Sequence, residues 1–416
     1  MGLSFGLSEC YSGSRKARQR ADECLGIYRL KHHYSWEDVM KKPHFFSLAV
    51  LLSLCVVPAG SLSAEVTPRD MFNRLDRNQD GILSREELPP AAQNNFDRID
   101  RDKSGGITFE EFAQFRARAA GAGQEPRIPE TIQAELDVPY AGTDHPRQRL
   151  DLLLPKNRAG DKPLPVVVAI HGGAWLGGDK HQVLPRLFPY VTTGQYAGVS
   201  VGYRLSQDAT WPAQIHDCKA AIRWIRGNAK KYHLDPDRIG VIGWSAGGHL
   251  VAMLGTAGDV KELEGDLGEF DDQSSRVTCV VDFFGPADML TIGDYPSQMQ
   301  HYAPDSPESK LIGGPILENK EKARSASPIT FVSKDDPPFL IVHGTDDPLV
   351  PYQQSVSLRD ALKKVGVPVA LITVEKGGHG GFRNPEIERR VDSFFDAHLR
   401  DIKAEFKDET LPNESK

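Results

Sequence analysis

Arg238 to Leu254 reads RIGVIGWSAGGHLVAML, and no other stretch limits the possible folds as much. Arg238 to Gly243 is a short apolar strand, and His249 to Leu254 continues a helix. Between them lies Gly243-Trp244-Ser245-Ala246-Gly247. A strand that turns at once into a helix must bend sharply, and side chains at 243 and 247 would collide in the bend. The bend lifts the Ser245 hydroxyl clear of the backbone, where the helix N-terminus favours negative charge. G-x-S-x-G alone is a weak signal. In this strand–turn–helix context it predicts a nucleophilic serine.

Residues 130–400 alternate apolar runs with amphipathic runs, which predicts a sheet covered by helices. Upstream of Ser245, PVVVAIHGGAW (165–175) is a buried strand ending in His171-Gly172-Gly173. Two adjacent glycines let the backbone approach a ligand and aim N–H groups at it. The N–H groups of Gly172, Gly173 and Ala246 are therefore the candidate oxyanion hole, each donor worth roughly 3–4 kcal/mol in a well-studied protease. Downstream, PFLIVHGTDDPLVP (338–351) ends an apolar strand in Asp346 and Asp347, and GGHG presents His379 after the strand 369–374. The chain order Ser, Asp, His is that of α/β-hydrolases. His379 is the expected base. Asp347 is the expected acid, with Asp346 and Asp288 as alternatives. His171 and His343 are expected to shape their turns by hydrogen bonding. Trp175, Tyr203, Trp211 and Trp244 are candidate pocket aromatics, although core packing serves Trp211 and Trp244 as well. The loops 258–272 and 294–315 are candidate covers for the pocket or solvated insertions.

Residues 66–118 carry a repeat of twelve-residue loops, Asp76–Glu87 and Asp100–Glu111. Oxygen donors fall at positions 1, 3 and 5, namely Asp76, Asn78 and Asp80, then Asp100, Asp102 and Ser104. Gly81 and Gly105 take the turn at position 6. Ile82 and Gly106 offer carbonyls at position 7, and Glu87 and Glu111 stand at position 12 as bidentate ligands. This pattern resembles EF-hands and implies bound Ca2+. Loop starts are 24 residues apart, and Pro89-Pro90 leave room for one short helix near 91–99. That compactness is similar to dockerins and to short EF-hand pairs of secreted bacterial proteins. Ser104 replaces an acid, so binding in the ~10⁻⁴–10⁻³ M range is expected, for structure or for docking a partner.

The chain of 416 residues carries a formal charge of −7 and no basic, aromatic-laced block, which argues against nucleic acid. Phe45–Val57 is apolar, follows Lys41-Lys42 and precedes Ser61-Leu62-Ser63-Ala64, the layout of a signal peptide cut after Ala64 or Ala59. Residues 1–39 precede an otherwise complete signal and read as a misassigned start or a cytoplasmic extension. Export is expected, to the periplasm or beyond, without stable membrane insertion once the signal is removed. Losing residues 1–64 removes 8 basic and 5 acidic residues and takes the net charge to −10. Cys218 and Cys279 remain and are expected as buried free thiols, a bridge being the alternative. The expected division is extension and signal 1–64, loop pair 65–118, linker 119–129, hydrolase 130–400, and a frayed charged tail 401–416.

Residues 130–400 resemble the α/β-hydrolase esterases related to hormone-sensitive lipase, with the closer match to the BD-FAE-like group of bacterial feruloyl and acetyl-xylan esterases. VPYAG (138–142), LDLLLP (150–155), WPAQIHDCKAAIRWIR (211–226), DPDRIGVIGWSAGGHL (235–250) and SPITFVSKDDPPFLIVHG (327–344) carry the resemblance. It implies ester hydrolysis without a catalytic cofactor, on small acyl or aryl esters or on esters of polysaccharides. HGGAW departs from the HGGG of hormone-sensitive-lipase relatives, so their substrates do not carry over. The competing functions are a prolyl-oligopeptidase-type peptidase, for which no propeller precedes the domain, and a calcium-dependent docking protein without catalysis.

Overall fold

A computed structural model describes residues 68–88, 96–119 and 127–414. The expected signal and extension lie outside these residues, as do 120–126 of the expected linker. No helix among the described residues is long and apolar enough to cross a membrane.

The N-terminal loops stand between α1 (Pro68–Leu75), α2 (Phe96–Ile99) and α3 (Phe109–Ala119). Two short strands, β1 (Ile82–Leu83) and β2 (Ile107–Thr108), pair antiparallel, with Leu83 opposite Ile107. Both side chains are fully buried, and Phe72, Leu88, Phe96, Ile99, Phe112 and Phe115 close around them as a separate small core. The loops are tied together through this apolar centre; Asp76, Glu87 and Asp100 are buried beside it, and Asn78, Asp80, Asp102 and Ser104 are exposed. This is the EF-hand pair that the spacing predicts. The helix expected near 91–99 is described only over Phe96–Ile99.

The remaining strands form one nine-stranded sheet: β3 (Ile132–Pro139), β4 (Arg149–Pro155), β5 (Leu164–Ile170), β6 (Ala197–Val201), β7 (Leu234–Trp244), β8 (Cys279–Phe283), β9 (Phe339–Gly344), β10 (Val369–Glu375) and β11 (Glu409–Pro412). Their order is β11-β10-β9-β8-β7-β5-β6-β4-β3. Only the β3–β4 and β4–β6 pairs are antiparallel, so β4 alone runs against the others. Helices cover both faces: α4 (Leu184–Thr192), α5 (Ala213–Gly227), α6 (Ala229–Tyr232), α7 (Ala246–Thr256), α8 (Pro307–Ile312), α9 (Lys320–Ser325), α10 (Gln353–Val365) and α11 (Pro385–Arg400).

Strand β5 shows why both faces are covered. Val166, Val168 and Ile170 enter the core that holds α5 and α7, and Val167 and Ala169 enter the core that holds α4 and α11. A strand buried on both sides reads as a continuous apolar run. Helix α7 is buried along its whole length, so the segment after Ser245 can be apolar all round. Helix α11 shows ordinary start signals: Asn384 accepts the Glu386 N–H at 3.0 Å, and Pro385 follows at the first helical position. The result is the α/β-hydrolase fold. Its parallel strands deliver their C-terminal ends to one edge, where the candidate residues gather. Cys218 and Cys279 are buried and free.

The tail corrects one expectation. Residues 409–412 are not frayed but form β11, paired parallel with β10. Its anchors are polar and distant in sequence. Asp408 accepts from Arg359 and Lys363 at 2.7 Å each, and Glu409 accepts from Arg390 at 2.8 Å. Phe406 packs edge-on against Phe394 with ring centroids 5.1 Å apart.

Candidate active site

Ser245 caps the N-terminus of α7 with φ 56° and ψ −119°. This conformation is costly for an L residue and persists only where the surroundings impose it. The surroundings are on hand. The Ser245 N–H donates to Phe283 O at 2.9 Å, and the His249 N–H returns to Ser245 O at 2.9 Å. A Cβ on Gly243 would stand 2.1 Å from Gly247 O, and one on Gly247 would stand 2.2 Å from Ile170 O. Glycine is therefore required at both positions for the strand, the bend and the helix to pack. The Ser245 side chain makes no capping bond to its own helix, so its hydroxyl stays available.

Gly172 and Gly173 leave the end of β5 beside this bend. A Cβ on Gly172 would lie 2.6 Å from Trp244 O and 3.4 Å from the Ser245 Cβ, which places the Gly172 backbone against the serine. Gly173 has φ 116°, and its carbonyl accepts the N–H groups of Leu176 and Gly177, both at 3.0 Å. Among the described residues the N–H groups of Gly172 and Gly173 have no acceptor, as donors kept for a ligand oxyanion must be. Ala246 opens α7 and adds its own N–H at the helix N-terminus.

His379 lies in the turn after β10, and its Nδ1 is 2.7 Å from Asp347 Oδ2. The carboxylate accepts, so Nδ1 carries the proton and Nε2 is left to act as base. Asp347 is enclosed by four donors: His379, His343 Nε2 at 3.1 Å, and the N–H groups of Leu349 and Val350 at 2.8 and 2.9 Å. Burial works against its charge, but the bonds from His343 and His379 outweigh burial and hold the carboxyl well below the usual carboxylate range. Asp346 bonds only locally, with Thr345 and with Gly377 O, and Asp288 is spent on Leu290, Thr291 and its own turn. Neither reaches His379.

His343 and His171 occupy the turns assigned to them. His343 Nδ1 lies 2.7 Å from Ser355 Oγ. Its Nε2 faces two acceptors, Asp347 and Val350 O, so Nε2 bears the proton and Ser355 donates to Nδ1. His171 Nδ1 is 2.8 Å from Gly172 O, and its ring stacks on Tyr203. Burial pushes the His171 pKa down to about 4, keeping it neutral beside the oxyanion loop.

The two halves of the site meet at Phe283-Phe284. Phe283 O takes the Ser245 N–H, and the Phe284 ring lies 4.6 Å from the His379 ring. Phe284 sits at φ 46°, and its N–H is held by Val342 O at 2.9 Å. No sequence motif singled out this residue; the strand end FFGP was its only trace. Among the described residues no hydrogen bond joins Ser245 Oγ to His379 Nε2. Such bonds in free enzymes commonly form only when substrate closes the site. With a nucleophile at a strained bend, backbone donors beside it, and an imidazole oriented by a buried carboxylate, the arrangement can perform acyl transfer.

In the second EF-hand loop, carboxylate oxygens of Asp100, Asp102 and Glu111 lie within 4.8 Å of one another, a donor set fitting a hard cation. Ser104 Oγ bonds Gly106 O at 3.0 Å, drawing two further candidate ligands together. In the first loop Asp76 accepts the Asp80 and Gly81 N–H groups, and Asn78 bonds Asp80 at 2.9 Å. Ile82, whose carbonyl is a candidate ligand, pairs with Thr108 across the two loops. Glu87 and Glu111 reach back over their loops alike, each taking two N–H groups at positions 2 and 3 and the hydroxyl at position 9.

Known proteins match both parts. The EF hand family covers residues 69–88 and 95–115. The BD-FAE family covers residues 150–362, just over half of the chain. The chain belongs to the BD-FAE family. It is 30% identical to Esterase LipQ of Mycobacterium tuberculosis over 64% of this chain and 62% of LipQ. It is 35% identical to a truncated carbohydrate esterase from gut microbiota, over 66% of this chain and 99% of that one, with TM-score 0.61. A bifunctional GH43-CE protein of Bacteroides eggerthii is 36% identical over 66% of this chain and 36% of its own, with TM-score 0.58. The chain spans 45–62% of the lengths of three curated mycobacterial relatives.

Within the BD-FAE domain, Trp175 and Tyr203 depart from the expected pocket role, and Trp211 takes the core-packing alternative. Trp175, Tyr203 and Trp211 are buried and commit their polar atoms to His249, His171 O and Ser325. Each holds a loop to the core. Trp244 keeps partial exposure, stacked on Phe283 with the Arg186 guanidinium 4.5 Å above its ring. The loop 258–272 packs on α5, through Lys219 and Arg223 to Glu264 and through Phe270 against Gly227. The loop 294–315 reaches the turn that carries Asp347: Gln298 N–H and Ser297 Oγ bond Pro348 O at 2.8 and 3.2 Å.

Proposed function

We propose that this protein is an exported serine carboxylesterase, acting on small acyl or aryl esters, with acetyl or feruloyl groups on polysaccharides as the leading substrates. The observation that carries the reading is the convergence on one sheet edge of a strained Ser245 whose hydroxyl makes no capping bond, the Gly172 and Gly173 N–H groups without an acceptor among the described residues, and His379 held by Asp347 at 2.7 Å. The polysaccharide part draws support from the carbohydrate esterase that matches almost end to end. The export part rests on the signal-like pattern of residues 40–64.

In this reading Ser245 Oγ attacks the ester carbonyl and passes its proton to His379 Nε2. The carbonyl oxygen becomes an oxyanion facing Gly172, Gly173 and Ala246. The ester C–O bond then breaks, the alcohol leaves with the proton from His379, and an acyl-Ser245 remains. His379 next deprotonates water, which attacks the acyl carbon and releases acid and free Ser245. Asp347 stays ionised throughout and stabilises the imidazolium formed in each half-reaction.

Ca2+ fits the two loops, with Asp76, Asn78, Asp80, Ile82 and Glu87 in the first and Asp100, Asp102, Ser104, Gly106 and Glu111 in the second. It would supply folding stability or a docking surface and takes no part in the chemistry. The test is hydrolysis of p-nitrophenyl acetate, longer acyl esters, methyl ferulate and acetylated xylan by wild type and Ser245→Ala, with and without chelator. Turnover should fall about 10⁶-fold in the variant, as loss of the serine does in a well-studied protease. Chelation should lower the melting temperature and leave kcat unchanged. Equal inactivity of both proteins on every ester would remove the esterase reading.

A further inference from the structure

Ala174 and Trp175 both stand at φ 56°, immediately after the candidate oxyanion donors. Each L residue in this region costs roughly 1–2 kcal/mol, so two in succession relax unless something holds them. The Trp175 side chain is what is held. It is 2% exposed, its Nε1 lies 3.2 Å from His249 Nδ1, and the two rings meet edge-on with centroids 5.0 Å apart. The Trp175 carbonyl is gripped as well, by the Ser206 N–H at 2.8 Å and the Ser206 hydroxyl at 3.1 Å.

His249 stands one helical turn after the nucleophile, and its other ring nitrogen, Nε2, is 2.7 Å from Ala326 O. The geometry fixes its protonation. An indole N–H can only donate, so Nδ1 accepts; a carbonyl can only accept, so Nε2 carries the proton. A neutral ring satisfies both partners, and burial, opposed only by the Ala326 bond, pushes the His249 pKa down to about 4. The Trp211 ring lies 5.6 Å from the His249 ring, and among the described residues no carboxylate or cation is bonded to the imidazole. The ring thus spans three segments: the loop of Gly172 and Gly173, the helix that starts at Ser245, and the end of α9.

We propose that His249 is a positioning residue for acyl transfer, which locks the oxyanion loop to the nucleophile helix by accepting the Trp175 indole proton while donating to Ala326. The inference rests on the acyl-transfer reading of the site. Gly172, Gly173 and Ser245 come from different strands, and their mutual placement decides whether the donors meet the oxyanion. The lock fixes that placement through side chains that never touch substrate.

The experiment uses the full chain with His249→Phe, His249→Asn, Trp175→Phe and the double variant His249→Phe/Trp175→Phe. Active sites are counted with a fluorophosphonate that labels Ser245, and melting temperature is measured alongside. Phe at 249 keeps an aromatic ring, somewhat larger than the imidazole, and accepts nothing. Asn can still accept the indole proton but cannot reach Ala326. We expect kcat per labelled site to fall about 10–100-fold in His249→Phe and in Trp175→Phe, the scale of an ångström of misplacement, with KM nearly unchanged. Inhibition by a trifluoromethyl ketone should weaken by the same factor, Asn should recover most of the loss, and the double variant should be no worse than either single. Lower melting temperatures with wild-type kcat per labelled site would reduce His249 to a core residue and overturn the proposal. If His249→Phe fails to fold, Trp175→Phe tests the same bond from its other end. Absence of turnover and labelling in the wild type would instead sink the acyl-transfer reading, and this inference with it.

Discussion

Asp282, inside β8, and Asp347, in the turn after β9, occupy neighbouring strands of one sheet and are both shut off from water. Their surroundings drive them in opposite directions. Asp347 receives four hydrogen bonds, two from imidazoles, and stays ionised well below the usual carboxylate range. Among the described residues Asp282 receives one, from the Gly285 N–H at 2.9 Å, and its Oδ2 is buried without a partner. Burial raises its pKa to about 7 against that single bond. Burial alone therefore does not decide the charge of an acid. The number of donors does, and only the well-supplied aspartate can steady an imidazolium.

The strongest way to break the contrast is Asp347→Asn. Oδ1 takes the Leu349 and Val350 N–H groups, so the amide oxygen must replace it and the amide nitrogen must replace Oδ2. His379 would then face a donor at Nδ1 and carry its proton on Nε2, the wrong tautomer for a base. We expect kcat to fall about 10⁴-fold, as the same swap does in a well-studied protease, and the melting temperature to fall as well, because the amide nitrogen would face the His343 Nε2–H donor. A loss below tenfold would mean that Asp347 does not orient His379. His343→Phe is a milder break, because it removes one of two imidazole partners and leaves the His379 bond. A hydrogen bond to a charged group is worth about 1.5–3 kcal/mol, so kcat/KM should fall roughly 10–100-fold. Wild-type kcat/KM in that variant would show that the second imidazole adds nothing.

How much of this was legible in the sequence depended on distance along the chain. The bend at Ser245 is legible because every residue that forces it lies within one strand, one turn and one helix. The EF-hand loops are legible for the same reason, since their donors repeat at fixed short spacings. Asp347 could be preferred over Asp346 by its spacing, but the reason for the preference, four donors on one carboxylate, is tertiary. The remainder was invisible because it rests on partners far apart. Strand β11 reads as charged tail, and only Arg359, Lys363 and Arg390 turn its acids into anchors. Trp175 reads as a pocket aromatic, and only His249, 74 residues later, reveals it as a lock. Phe284 carries no motif, and its place between the serine and the histidine follows from sheet order.

Asp282→Asn sharpens the contrast with the smallest effect, and it separates charge from structure. A carboxyl raised from its unfolded value near 4 to about 7 keeps its proton when folded and loses it when unfolded. Between those values the folded state binds more protons, so stability falls as pH rises, by up to about 1.4 kcal/mol per pH unit, and levels off above 7. Asparagine cannot ionise and has no such slope. The amide also leaves a buried N–H group unpaired, a fixed cost of about 1–3 kcal/mol that does not vary with pH. The informative quantity is therefore the change with pH in the stability difference between variant and wild type. That difference should move in favour of Asp282→Asn from pH 4 to pH 7 and stay flat beyond, with kcat within twofold throughout. Parallel melting curves across that range would mean that Asp282 is ionised after all, and that one hydrogen bond suffices where Asp347 has four.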